Sequence, residues 1–185
     1  MSNVLMSSEW EEACAAAYDP KTPALRLDSL ARKQVGMFNG RSPQRGVAQH
    51  PNTSVDTLMY LTTNLDWKVL KYIACRPDAT ADLLRAVIAA DPEVTAIESI
   101  LEHPNTPPDV YETLAKSEIW GIRDMVAYAS HTPPSLLTRL ALDPQPEVIE
   151  TIELNPNTPP AVKLWLRSDY RYSMTLEEFL KSTQM

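Results

Sequence analysis

A short proline-centred phrase returns along this chain at nearly constant intervals, and that recurrence limits the fold more than any other property. His50-Pro51-Asn52-Thr53, His103-Pro104-Asn105-Thr106 and Asn155-Pro156-Asn157-Thr158 nearly coincide. Two degenerate copies lie between them, Arg76-Pro77-Asp78-Ala79 and Ala129-Ser130-His131-Thr132. With Pro51, Pro77, Pro104, Ser130 and Pro156 taken as equivalent, the spacings are 26, 27, 26 and 26 residues, and an earlier copy around Pro20 lies 31 residues before Pro51. Such self-similarity is the mark of a repeat architecture, in which a unit too small to bury its own apolar face is covered by its neighbours.

The apolar residues follow the same register. Ten positions after the anchors stand Leu61, Val87, Leu114, Leu140 and Leu166, preceded by pairs such as Leu83/Leu84 and Leu136/Leu137. Four positions before the next anchor stand Ile73, Ile100, Val126 and Ile152, and eight before it Val69, Ala96, Ile122 and Val148. Both spacings are those of one buried helix face. Each unit is therefore expected to be a helix, a tight turn, a second and shorter helix, and a proline corner. In Asn-Thr-Pro-Pro the Thr is expected to act as N-cap, with Pro in the first turn, where a missing N–H costs nothing. Asp91-Pro92 and Asp143-Pro144 repeat the device between the two helices. His50, Arg76, His103 and Asn155 share one corner slot, read as solvated. The expected fold class is all-α, an α-solenoid of about five to six two-helix repeats with helical caps. Residues 1–18 form the N-terminal cap, 19–168 the repeats anchored at Pro20, Pro51, Pro77, Pro104, Ser130 and Pro156, and 169–185 the C-terminal cap, all in a single structural domain.

Composition supports a globular chain: of 185 residues 44% are hydrophobic and 22% charged, outside the range of general disorder. The 16 prolines and 4 glycines fit corners between helices. Two cysteines, Cys14 and Cys75, cannot make a disulfide framework. The first residues lack the basic and apolar regions of a signal peptide, and no apolar run approaches the ~20 residues of a membrane span, so a soluble cytoplasmic protein is expected. Net charge of −7 disfavours a nucleic-acid backbone as partner.

Val47-Ala48-Gln49-His50-Pro51-Asn52-Thr53, His103-Pro104-Asn105-Thr106-Pro107-Pro108, Leu140-Ala141-Leu142-Asp143-Pro144 and Asn155-Pro156-Asn157-Thr158-Pro159-Pro160 together resemble the bacterial leucine-rich repeat variant family. The resemblance covers residues 19–168. It implies alternating helices in a right-handed superhelix, the shorter helix sometimes tight enough to be 3₁₀. The units here are longer than the shorter family repeat, so ordinary α-helices are expected. Members of the family can carry an iron–sulfur cluster on a separate cysteine-rich segment; this chain has no such segment, and no cofactor is inferred.

Chemistry-bearing motifs are sparse. GxSxG, HExxH, GxGxxG and a glycine-rich phosphate loop are all missing from the sequence. Glu11/Glu12 and Glu177/Glu178 fall in first turns of terminal helices, where the helix dipole explains them. His50 and His103 would stand roughly 20 Å apart at one interhelical step per repeat, far from the ~2 Å ligand distances of zinc. No catalytic residue and no metal site are therefore expected.

Charge is more informative. Residues 51–100 carry a net −3 and residues 101–160 a net −6, with an outward acidic stripe expected along the second helices through Glu98, Glu102, Asp124, Glu147, Glu150 and Glu153. A stripe of this kind suits a basic protein partner by steering its approach. Three glycines fall in the basic segment Gly36–Gly46, where the spacing stretches, and Met37, Phe38, Arg41 and Arg45 are candidate contacts on a loop replacing a regular second helix. Trp67 and Trp120 share a slot ten residues before the anchor and would be natural partner anchors if exposed. The expected function is that of a non-catalytic protein-binding module. Alternatives are a small acidic antagonist of one target, toxin-neutralising or phage-encoded, and an enzyme with an unrecognised site near Cys75 or the Gly36–Gly46 segment. Oligomeric state is left open.

Overall fold

The computed structural model describes residues 8–33, 41–63, 66–90, 96–168 and 173–183. They form α-helices and connecting turns: α1 (Ser8–Tyr18), α2 (Ala24–Arg32), α3 (Pro43–Gln49), α4 (Val55–Leu61), α5 (Trp67–Ala74), α6 (Ala81–Ala90), α7 (Ile97–Leu101), α8 (Pro108–Leu114), α9 (Trp120–Tyr128), α10 (Pro134–Leu140), α11 (Pro146–Leu154), α12 (Pro160–Arg167) and α13 (Leu176–Ser182). The chain is all-α. It divides into two compact units, Met1–Ser99 and Ile100–Met185.

In the first unit α1, α3 and α5 pack side by side in one row, and α2, α4 and α6 form another. In the second unit α9 lies against α11, with α8, α10 and α12 beside them and α13 against α12. The helix-period residues supply the cores: Leu58, Leu61, Leu83, Val69 and Ile73 in the first unit, Leu136, Leu137, Val126, Val148 and Ile152 in the second, all buried. Truncating one such leucine to Ala costs about 2–5 kcal/mol. The second helix of a unit is not consistently the shorter: α9 and α11 have nine residues each, α8 and α10 seven.

The corners are built differently from the expectation. A turn hydrogen bond recurs from the amide of the residue two after the anchor position to the carbonyl of the residue before it: Thr22 to Asp19, Thr53 to His50, Ala79 to Arg76, Thr106 to His103, Thr132 to Ala129 and Thr158 to Asn155. The Thr hydroxyls do not cap the helix that follows. They donate backward, to the carbonyl six residues earlier at the end of the previous helix: Thr22 to Ala16 at 2.7 Å, and Thr53 to Val47, Thr132 to Val126 and Thr158 to Ile152 at 2.6 Å each, with Thr106 to Ile100 alike. This satisfies one of the orphan carbonyls that every helix end leaves. Capping falls one residue later. Pro23, Pro107, Pro133 and Pro159 hold that position with extended backbone and no cap bond. In the two other copies Ser54 and Thr80 stand there, and their hydroxyls accept from the amides of Thr57 and Leu83. Proline or a capping hydroxyl thus serves the same slot.

The residue before the anchor is buried, not solvated, and reaches back to the main chain of the preceding corner. His50 donates from Nε2 to the Asp19 carbonyl at 2.8 Å while its Nδ1 accepts from the Asn52 amide. The Arg76 guanidinium donates to the Ala48 and His50 carbonyls at 3.2 and 2.9 Å and holds Asp78 with its other edge. Asn155 donates to the Ala127 and Ala129 carbonyls at 2.6 and 3.1 Å and accepts from the Asn157 amide. Three unlike side chains make the same rung.

Each unit also holds a bidentate ion pair between a second helix and the turn leading into the next second helix. Arg45 meets Asp66 at 2.6 and 2.8 Å, and Arg123 meets Asp143 at 2.7 and 2.9 Å. Asp66 and Asp143 each also accept a backbone amide, from Lys68 and Gln145. At the C-terminal end Thr175 and Glu178 close a capping box on α13.

Candidate functional site

The candidate residues fall in both units and meet different fates. In the first unit Arg45 is buried by its pairing with Asp66 and cannot serve as a surface contact. The segment expected to be a loop is helical from Pro43: α3 is the missing second helix, shortened, and Gly46 lies on it where α1 comes close. A Cβ there would stand 2.8 Å from the Ala17 Cβ. Gly36, Met37, Phe38 and Gly40 lie outside the described residues. Arg41 is exposed and stacks on Tyr18, its guanidinium carbon 5.0 Å from the ring centre. Trp67 opens α5, 45% exposed, with the Lys68 ammonium 5.3 Å from its ring. Glu98 is exposed on α7.

In the second unit the acidic residues separate into engaged and open ones. Glu102 is tied to the corner at Ser130, accepting from its hydroxyl at 2.7 Å and its amide at 2.9 Å. Ser130 replaces a proline, so the corner carries an N–H that the other anchors lack, and Glu102 supplies its acceptor. These Ser130 bonds hold the Glu102 carboxyl below its ordinary value. Glu153 is paired with Arg167 at 2.7 Å, and Glu147 accepts from the Gln145 amide group at 2.5 Å. Glu150 is exposed. One oxygen of Asp124, Oδ1, is withdrawn from solvent without a hydrogen-bond partner among the described residues. Trp120 opens α9 at 46% exposure, the counterpart of Trp67 in both place and accessibility.

Reading the sequence missed Tyr128 and Leu154. They occupy one slot, two residues before the anchor, on α9 and α11, and are 74% and 77% exposed. One turn earlier Met125 is 46% exposed. A cleft of about 440 Å³ opens here, lined by Glu102, Tyr128, Ser130, Thr151, Leu154 and Pro156. A shallower one of about 380 Å³ lies between α11 and α12, with Glu150 and Ile149 on its wall. A signal was present: the slot reads Tyr18, Gln49, Cys75, Glu102, Tyr128, Leu154, and only its last two copies put large apolar residues in adjacent repeats.

Ser130, His131 and Glu102 bring a hydroxyl, an imidazole and a carboxylate together, but in the wrong order for a charge relay. The hydroxyl donates to Glu102, and His131 Nδ1 stands 3.2 Å from the same oxygen with Glu102 3.6 Å away. A nucleophile's proton must point to the base, with the acid behind that base; here the carboxylate takes it directly. The cluster is a corner cap. Among the described residues no three His, Cys, Asp or Glu side chains converge as metal ligands, and no helix is long and apolar enough to cross a membrane. Cys14 is buried, and its thiol is pushed up by that burial, while the exposed Cys75 lies 3.3 Å from the Ser99 hydroxyl. No family model, curated protein or solved structure matches this chain.

Proposed function

We propose that this chain is a non-catalytic protein-binding module of the cytoplasm, a right-handed α-solenoid of about five to six two-helix repeats with helical caps, akin to the leucine-rich repeat variant proteins it resembles. Support for the repeat reading comes from the corner turn, which returns six times with the same backbone bond, and from the rungs at His50, Arg76 and Asn155. The observation that carries the binding reading is the face of α9 and α11. Tyr128 and Leu154 stand there about three-quarters exposed, on helices whose Ile122, Val126, Val148 and Ile152 are buried, beside a cleft and among carboxylates. Exposed apolar side chains grouped in this way mark interaction surfaces. The partner fitting the acidic repeats is a protein with a basic surface.

The test is capture of a partner by the immobilised full chain from lysate of its source cells, at low and high salt, against a variant carrying Glu147→Lys and Glu150→Lys. Retention of a defined protein by the parent, weakened by salt and by the charge reversals, is the expected result. Absence of any specific partner under both conditions overturns the reading.

A further inference from the structure

We infer that the face of α9 and α11 docks a short basic segment of another protein through one bulky apolar side chain, seated between Tyr128 and Leu154. This deepens the binding reading above and rests on it. The apolar requirement comes from the cleft itself. Tyr128 and Leu154 both line it, from the same slot one repeat apart, so an aliphatic or aromatic side chain seated in it can cover both. An interface of this kind draws most of its affinity from one such desolvated anchor.

The basic requirement comes from what surrounds the cleft. Glu102 forms part of its wall, and the two Ser130 donors keep that carboxylate ionised. Asp124 precedes Met125 on α9, and Glu147 and Glu150 lie on the turns of α11 before Leu154. Of the basic groups here, the His131 imidazole stands 3.6 Å from Glu102. Arg123, the one basic residue of α9, is locked on Asp143, and α11 contains no Lys or Arg. A segment with Lys or Arg on both sides of its anchor therefore meets uncompensated negative charge, and an acidic segment is repelled.

The experiment is selection of a random peptide library against the folded full chain, followed by fluorescence anisotropy of one enriched peptide. The expected consensus has Lys or Arg flanking one Leu, Met, Phe or Trp. Binding of that peptide is expected to fall about tenfold or more in Leu154→Ser and Tyr128→Ser, the size of a modest anchor loss. It is expected to fall by roughly twofold to fivefold in Glu150→Gln, as for a rim charge, and to be unchanged in Glu177→Gln on α13. Both anchor positions are solvent-exposed, so thermal melts of these variants are expected to match the parent. A neutral or acidic consensus, no consensus, or a basic consensus unaffected by Leu154→Ser and Tyr128→Ser overturns the inference. Self-association by sedimentation, abolished by Leu154→Ser, also overturns it, because the face then belongs to a second copy. If the captured protein of the preceding test binds the Leu154→Ser and Tyr128→Ser variants as well as the parent, the module reading stands and this assignment of its face falls.

Discussion

The two units share one way of turning a corner and differ in what they show to water. Both end a second helix with a carbonyl-seeking hydroxyl, both bury a polar rung in front of the anchor, and both clamp a second helix to the following turn with an Arg–Asp pair. On the outer side of the second helices they diverge. α5 of the first unit carries Lys68, Lys71 and Tyr72, with Cys75 at its C-terminal cap. α9 and α11 of the second carry Asp124, Glu147 and Glu150 around Met125, Tyr128 and Leu154. The positions that hold the fold are conserved between the units in chemistry, whereas the positions facing out have changed sign and polarity. A shared scaffold with divergent outer slots separates what stability requires from what recognition can vary.

The largest effects are expected at the paired clamps. Asp66→Ala and Asp143→Ala each leave a shielded guanidinium without its counter-charge, and each is expected to cost about 3–5 kcal/mol, read as a lower urea midpoint. Hydrogen exchange should place the loss in the mutated unit; equal loosening of both would mean that each clamp supports more than its own unit. The clamps also set an acid limit. Burial pushes the Asp66 carboxyl up, but the Arg45 guanidinium and the Lys68 amide outweigh it and hold it below its usual 3.8, while Arg123 and the Gln145 amide do the same for Asp143. Folded pKa values below the unfolded ones mean that this stability is present above about pH 4 and is lost as pH falls further. Denaturation midpoints measured downward from neutrality check it, and a midpoint that holds steady below pH 4 would contradict it.

The glycines come next and should act in opposite directions. Gly46→Ala sets a methyl against Ala17 and is expected to destabilise by about 1–3 kcal/mol. Gly121→Ala, with open space around it in α9, is expected to stabilise by about 0.5–1 kcal/mol. Thermal melts of the two variants should shift to opposite sides of the parent. Smaller still is a repair: Ala79 is the one corner copy without the hydroxyl, and Ala79→Thr should gain about 0.5–1.5 kcal/mol by bonding the Ile73 carbonyl. No gain would mean that this buried site has no room for the added atoms.

The last difference shows itself only in alkali. Tyr111 stands where the first unit has Leu58 and Leu84, and its hydroxyl donates to the Leu101 carbonyl at 2.5 Å. Burial, with a smaller push from the Glu102 charge, raises it to about 12. Its folded value lies above the unfolded 10, so the stability it carries is complete below pH 10 and is lost between about 10 and 12. The second unit should therefore lose stability over this range through Tyr111, and Tyr111→Phe should remove that loss in hydrogen exchange, while Cys14 and Tyr18, both raised by burial, make the first unit alkali-sensitive independently.

The helices and their register were legible because apolar spacing and prolines are properties of the chain itself. The corner was only half legible. A Thr before Pro reads as an N-cap, and nothing local says that its hydroxyl turns back six residues, since that depends on how closely the previous helix end approaches. The rungs were hidden for a related reason. His50, Arg76 and Asn155 look unrelated, and their common task appears only when a donor is placed beside the corner one repeat earlier. Arg45 looked like a loop cation because α3 is short and begins at a proline. On the outer face the acidic residues were visible as charge, but that Glu102 serves Ser130 and Glu153 serves Arg167 is a matter of contact across repeats. Tyr128 and Leu154 escaped because apolar residues on a helix are expected inside.

The rungs also bear on how such a chain can grow. Each one addresses a backbone carbonyl, and every amino acid carries the same carbonyl. A donor of this kind makes no demand on the sequence of the segment it grips, so neighbouring segments need not change together. Copying, deleting or exchanging one segment leaves its successor with an equivalent acceptor, whatever side chains the newcomer brings. Lengthening the array then needs no matched pair of substitutions at the junction, and the outer slots of a newly copied segment are free to drift toward a new partner from the first generation.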